Sequence, residues 1–371
     1  MEIYFEPTGS LKAFQEQATA MLAKEGIHSL LALSAQGNGF TADTLDPFLK
    51  SLSQPIFGGV FPYLIYEDQY YAKGSLLIGL PQTADIEVVE QINHHPLLED
   101  HLAQRFAHLP QQATMFLFVD GFTAGIDHLI ESLYLNFGLD IQFIGAGAGA
   151  EDLLQRPCIL TNQGLLQDAA VLAMMDLPTG VGVQHGCQPI CGAMKITEAK
   201  GNQIISLDWQ PAYEVYKKIV DGHSGGDLKK EQFYETALSY PFGLSKIGAE
   251  LVVRVPIGAD EKGVLQCVGN VGQGEFVQIL TGTVDGLVTA TGQACRQAAS
   301  HFTGEARGKI TFMVDCLARL QFLKEDFSYE LVAAQEESGK LVGVVSLGEI
   351  ANNGTDYLEF HNMTSVVGVL G

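Results

Sequence analysis

The sequence predicts an α/β (α+β) fold in which repeated strand-helix-strand-strand units build mixed, largely antiparallel sheets covered by helices. Three observations carry this reading. Three segments share one order of apolar runs and helical stretches. Each is followed by a further apolar run that suits an antiparallel neighbour. The 41 glycines are scattered without period, which suits many tight turns between strands.

The elements follow in order. Leu11, Phe14, Ala18, Met21 and Leu22 recur at helical spacing behind Thr8 and Ser10, giving an amphipathic first helix with a capping residue. In the first unit, the apolar run Leu30-Leu31-Ala32-Leu33 ends at Ser34, a helix follows over 43–52, and Ile56-Phe57 leads into Gly58-Gly59. In the second, 115–119 ends at Asp120-Gly121, a helix covers 126–137, and 141–144 runs into Gly145-Ala146. The third has a strand over 310–314 ending at Asp315-Cys316, a helix over 327–337, and a strand over 341–347 running into Gly348-Glu349. Gly58 and Gly145 occupy equivalent places, which points to internal repetition. The following strands are expected over 75–80, 169–175 and 357–364. A boundary near 204–210 divides the chain into regions 1–208 and 209–371. After it comes a helix over 211–220, with Tyr213, Tyr216 and Val220 on one face, and an exposed loop over 221–227.

Composition excludes several function classes. Twenty-one Lys and Arg against 43 Asp and Glu give a formal charge of −22, which repels a phosphate backbone or an anionic membrane. The first residues lack a basic, then apolar, leader, and no apolar run approaches the ~20 residues of a membrane span. Six widely spaced cysteines in no framework pattern read as reduced buried thiols. These features together predict a cytoplasmic protein that binds neither nucleic acid nor membrane.

The motifs are weighed against plainer readings. Gly145-Ala-Gly147-Ala-Gly-Ala150 matches a dinucleotide fingerprint, but Glu151 and Asp152 stand where a pyrophosphate would sit, so close backbone packing at a turn is the better account. His185, Cys187 and Cys191 offer three soft metal ligands without a fourth, and a turn between strands is expected there. The C-terminal half is richer. Arg254 lies inside an apolar strand, Asp315 and Cys316 end another, Arg319 follows one turn later, Glu349 follows Gly348, and His361-Asn362 interrupts the last strand. Strand ends that converge would present these seven residues to one cavity, with the guanidinium groups suited to a carboxylate ligand. A salt bridge from Arg254 or Arg319 to Glu349 is the structural alternative.

The chain resembles the FIST family (F-box and intracellular signal transduction), with its N- and C-terminal regions in order. The resemblance is carried by Phe116-Leu-Phe-Val-Asp120-Gly, Phe143-Ile-Gly145-Ala-Gly-Ala-Gly149, His185-Gly186 with Ile196-Thr197-Glu198-Ala199, and Pro211-Ala-Tyr213-Glu-Val-Tyr216. In the second half it is carried by Arg254-Val-Pro256, Asp315-Cys316-Leu-Ala-Arg319, Gly348-Glu349-Ile350 and Phe360-His-Asn362-Met-Thr364. Asp315 departs from the small polar residue more usual before the Cys-x-x-Arg and sets a negative charge beside the expected pocket. The resemblance implies a sensory role for a small ligand such as an amino acid or another small polar molecule. Some stand-alone bacterial members are haem proteins that sense nitric oxide beside a histidine kinase or a cyclic-di-GMP enzyme. His223, in the expected loop, is the candidate haem ligand, with His185 and His361 as alternatives. With no output segment recognisable, signalling is expected to pass by contact to a separate partner protein. The rival class is a thiol enzyme using Cys316 as nucleophile and His361 as base.

Overall fold

The first unit runs β1 (Glu2–Glu6), α1 (Leu11–Leu22), β2 (Ser29–Ala35), α2 (Ala42–Leu49), β3 (Ile56–Phe61), the hairpin β4 (Tyr63–Tyr66) and β5 (Gln69–Tyr71), then β6 (Ser75–Leu80). The structure is a computed structural model and describes every residue except 96, 247–249, 306–308 and 353–356. The second unit repeats that order as β7 (Asp85–Glu90), α3 (Leu98–Arg105), β8 (Ala113–Asp120), α4 (Ile126–Phe137), β9 (Gln142–Ala148), the hairpin β10 (Ile159–Thr161) and β11 (Gly164–Leu166), and β12 (Ala169–Asp176).

A third unit opens with β13 (Thr179–Gln184) and is interrupted by an insertion. The insertion contains β14 (Gln188–Pro189), β15 (Met194–Lys200), β16 (Gln203–Leu207), β17 (Gln210–Pro211), α5 (Ala212–Ser224), α6 (Phe233–Ser239), β18 (Phe242–Leu244), β19 (Val252–Arg254), β20 (Pro256–Ala259), β21 (Leu265–Cys267) and β22 (Phe276–Thr281). The unit then resumes with α7 (Val284–His301), β23 (Ile310–Cys316), α8 (Leu317–Leu323), α9 (Phe327–Glu337), β24 (Leu341–Ser346), the hairpin β25 (Glu349–Ala351) and β26 (Glu359–His361), and β27 (Ser365–Leu370).

The three units give three six-stranded sheets with matching strand order: β1-β6-β2-β3-β10-β11, β7-β12-β8-β9-β25-β26 and β13-β27-β23-β24-β4-β5. In each, one parallel pair sits among antiparallel neighbours. The hairpins are exchanged in a ring. The first unit's hairpin completes the third sheet, the second unit's completes the first, and the third unit's completes the second.

The register repeats residue for residue. Ala32 faces Gly58, Leu117 faces Gly145, and Met313 faces Gly343 across the three parallel pairs. At each glycine a Cβ would lie 1.9 Å from the carbonyl oxygen of the facing residue, so no side chain fits. The third member of the expected glycine set is therefore Gly343, inside the strand, rather than Gly348 after it. Likewise the third unit's following strand is β27 rather than 357–364, because β26 belongs to the exchanged hairpin.

The inner faces of all three sheets share one core, in which Phe57 meets Phe116 at 5.7 Å and Phe116 meets Phe312 at 6.3 Å between ring centroids. The outer faces are covered by α1 and α2, by α3 and α4, and by α7 and α9. The insertion has its own core under α5 and α6. Strand pairing crosses residue 208 repeatedly, as in β13 with β27 and β9 with β25. No helix among the described residues is long and apolar enough to cross a membrane.

One local expectation fails. The helix expected to stop at Val220 continues as α5 to Ser224, where Gly225 takes a left-handed conformation (φ 69°) that closes it. Lys217 holds Asp221 at 2.8 Å and also Asp227, and the Leu228 amide donates to Asp221 at 2.6 Å. Most of the expected loop 221–227 is thereby a capped helix end, and His223 is helical.

Candidate functional site

Arg254 ends β19, whose pairing with β18 buries it to 4% exposure. Its Nε donates to Asn270 O (3.1 Å), and its Nη1 donates to Val253 O (3.1 Å) and Phe360 O (2.9 Å). Among the described residues no carboxylate lies within ion-pairing distance of this guanidinium. It lines a cleft of about 740 Å³ with Asp127, Lys246, Asn270, Glu275 and Glu359. Asp127 comes from the first turn of α4. Its burial raises the carboxyl pKa and Glu359 adds to that, while Arg254, Lys246 and a hydrogen bond from Asn270 oppose it. Lys246 bridges Glu359 at 3.1 Å and Glu275 at 3.7 Å. Asp127 and its neighbours escape sequence reading because an acid in a helix's first turn is ordinary there.

Arg319 is buried for another purpose. It is fully enclosed on α8, 3.1 Å from Asp315 and paired with Glu330 of α9. Its remaining donors reach His185 O (2.9 Å), Met363 O (3.2 Å), Leu287 O (3.0 Å) and Thr291 Oγ1 (3.1 Å). Every guanidinium nitrogen is held by protein, so this residue clamps α7, α8 and α9 to the turn before β27. The acids facing it are Asp315 and Glu330 rather than Glu349, with Glu330 missed in the sequence as an ordinary helical glutamate.

Glu349 is also enclosed, accepting from Ser346 Oγ (3.0 Å) and the Thr364 amide (3.3 Å). Burial raises its pKa well above the carboxylate range, and Asp315 adds to this. Burial likewise raises the Cys316 thiol, with Glu349 reinforcing it against the Met363 and Ala318 amides. Asp315 is raised by burial and by Glu330, against the attraction of Arg319.

The seven expected residues therefore do not meet in one cavity. Arg254 faces the cleft described above, and Cys316 and Asn362 line a separate cavity of about 430 Å³. Asp315, Arg319 and Glu349 are enclosed within the protein, and His361 lines a small enclosure of about 30 Å³ with His185. Both cavities are built where the insertion meets the second and third units, a meeting that no local pattern announces.

His223 lies exposed in the last turn of α5, with its Nδ1 3.3 Å from Tyr240 Oη and its ring edge-on to that tyrosine. It lines none of these cavities, so its surroundings do not fit a haem. The enclosure that His361 shares with His185 is too small for a macrocycle, while His185 also borders a second pocket of about 440 Å³. Among the described residues no three His, Cys, Asp or Glu side chains are grouped to hold a metal. His185 Nδ1 instead accepts from the Cys187 amide at 3.0 Å, and Cys191 Sγ accepts from the Ile279 amide at 3.2 Å.

Residues 29–210 match the FIST N domain and residues 212–352 match the FIST C domain. No curated protein matches the chain. The joint between the two matches falls within β17, just before α5 and inside the insertion.

Proposed function

The chain belongs to the FIST family, whose domains are signal-transduction sensory domains, and from that premise we propose that it binds a small zwitterion of the amino-acid class in the Arg254–Asp127 cleft and reports occupancy to a separate protein. The observation that carries this reading is Arg254, a buried guanidinium with three carbonyl contacts and no carboxylate partner among the described residues. Asp127 acts on Arg254 only from across the cleft, and a ligand carboxylate would give the buried guanidinium a contact partner. Among the described residues the cleft also holds Asp127, Glu131, Glu275 and Glu359 against Lys246 and Arg254. That surplus of acid suits a ligand carrying an ammonium group as well and disfavours a dianion.

The walls come from α4 of the second unit, the insertion, and β26 of the third unit. Occupancy would tighten three parts against one another, a change that a cytoplasmic partner such as a histidine kinase or a cyclic-di-GMP enzyme can read by contact. The thiol-enzyme reading is weaker, because burial keeps Cys316 protonated and a thiolate is the reacting species.

The experiment is thermal denaturation with each common amino acid, followed by calorimetry on the best stabiliser. A ligand at 100 times its Kd stabilises by about 2.7 kcal/mol. Arg254→Met and Asp127→Asn should each remove that stabilisation while leaving the ligand-free protein folded. Full ligand-induced stabilisation in both variants would refute the assignment.

A further inference from the structure

We infer that the Cys316–Asn362 cavity is a second ligand site, for an uncharged and mainly apolar molecule that brings one N–H or O–H donor. The first observation is the lining. This cavity of about 430 Å³ has no Asp, Glu, Lys, Arg or His among its described lining residues, and its walls include Phe122, Val255, Val268, Leu317 and Leu347. An ion entering it would lose hydration with no counter-charge to meet.

The second observation fixes the polar demand. Asn362 is 1% exposed, and its Oδ1 is buried with no hydrogen-bond partner among the described residues. Its Nδ2 is engaged with His361 O at 2.9 Å, which leaves the amide's carbonyl as the group without a partner. The neighbouring polar side chains are already committed. Asn202 Nδ2 donates to Cys267 O (2.9 Å), Tyr234 Oη donates to Gln321 Oε1 (2.6 Å), and Ser346 Oγ donates to Glu349 Oε1 (3.0 Å). A buried acceptor without a donor is disfavoured, and a ligand donor would satisfy it.

The mouth agrees with an apolar body, since Leu153 is 62% exposed and Ile257 is 40% exposed at the lining. This site is distinct from the Arg254 cleft, although the two share a wall. Arg254, Asn270 and Phe360 face the cleft, whereas Val255, Gly269 and Asn362 face the cavity.

The test is a ligand-observed NMR screen of the full chain with phenol, indole, benzamide and related neutral donors. Each is paired with a fully methylated analogue that has no donor (anisole, N-methylindole, N,N-dimethylbenzamide) and with a carboxylate analogue. The expected result is saturable binding of at least one neutral donor, roughly tenfold weaker binding of its methylated partner, and still weaker binding of the carboxylate. Asn362→Leu should erase the preference for the donor. Ala318→Phe, which fills the cavity from a partly exposed helical position, should abolish binding with the melting temperature preserved. Arg254→Met should leave this binding intact, which separates the inference from the zwitterion reading. Failure of every neutral donor to bind, equal binding of the methylated analogues, or survival of binding in Ala318→Phe would overturn it.

Discussion

Lowering the pH should destabilise this protein through one imidazole, and His185→Asn should remove that sensitivity. His185 follows β13 and is half-buried between the end of that strand and the Arg319 clamp. Burial lowers its pKa from the usual 6.5 to about 4, and the positive charges of Arg319 and His361 push the same way. The unfolded chain takes up a proton as pH falls through about 6.5, whereas the folded chain resists protonation until about 4. Stability carried by the neutral ring is therefore complete above pH 6.5 and is lost progressively as pH falls toward 4. A displacement of roughly 2.5 pKa units corresponds to about 3 kcal/mol. Asp315 and Glu349, whose raised pKa values favour the folded state at low pH, oppose this trend. The informative quantity is thus the difference between wild type and variant. Asparagine keeps an acceptor for the Cys187 amide, which lies 3.0 Å from the ring nitrogen, and carries no titrating proton. Urea denaturation at intervals from pH 7 to 4, at low protein concentration because the pI is near 4.7, should show the variant gaining about 3 kcal/mol on wild type across that window. Parallel stability curves for the two proteins would refute the reasoning.

Further outcomes follow from the packing. Gly145→Ala, which would place a Cβ 1.9 Å from Leu117 O, should lose at least about 3 kcal/mol or fail to fold, whereas Gly222→Ala, in α5 with nothing within 4 Å, should gain about 0.5–1 kcal/mol by thermal denaturation. Arg319→Met should cost about 3–5 kcal/mol in urea because it strands the enclosed Asp315 and Glu330, and a near-wild-type midpoint would deny the clamp. Iodoacetamide at pH 7.5, followed by peptide mapping, should label the half-exposed Cys191 first. Burial pushes Cys187 and Cys295 up to about 11 and Cys267 up to about 12, and raises Cys316 as well. Early labelling of Cys316 would revive the enzyme reading.

The apolar runs at 30–33, 115–119 and 310–314 and the helices between them were legible in the sequence, because periodicity and apolar runs are local consequences of which side chains must leave water. The same holds for the sheet type, for the acidic surface, and for the family, whose short stretches keep their order along the chain. The tertiary structure decided where each hairpin pairs. Strand β4 lies beside β24, far away in sequence, and the exchange shows only when hydrogen-bonding edges are matched in space. It also decided that Gly343 rather than Gly348 completes the glycine set, since the constraint is the carbonyl of Met313 on another strand. Arg254 and Arg319 look alike in the sequence, each a cation among apolar neighbours. They differ because Glu330 on α9 reaches one of them and no acid among the described residues comes within ion-pairing distance of the other. A buried charge takes its role from whichever groups folding brings within a few ångströms, and those groups are set by long-range packing rather than by its neighbours in the chain.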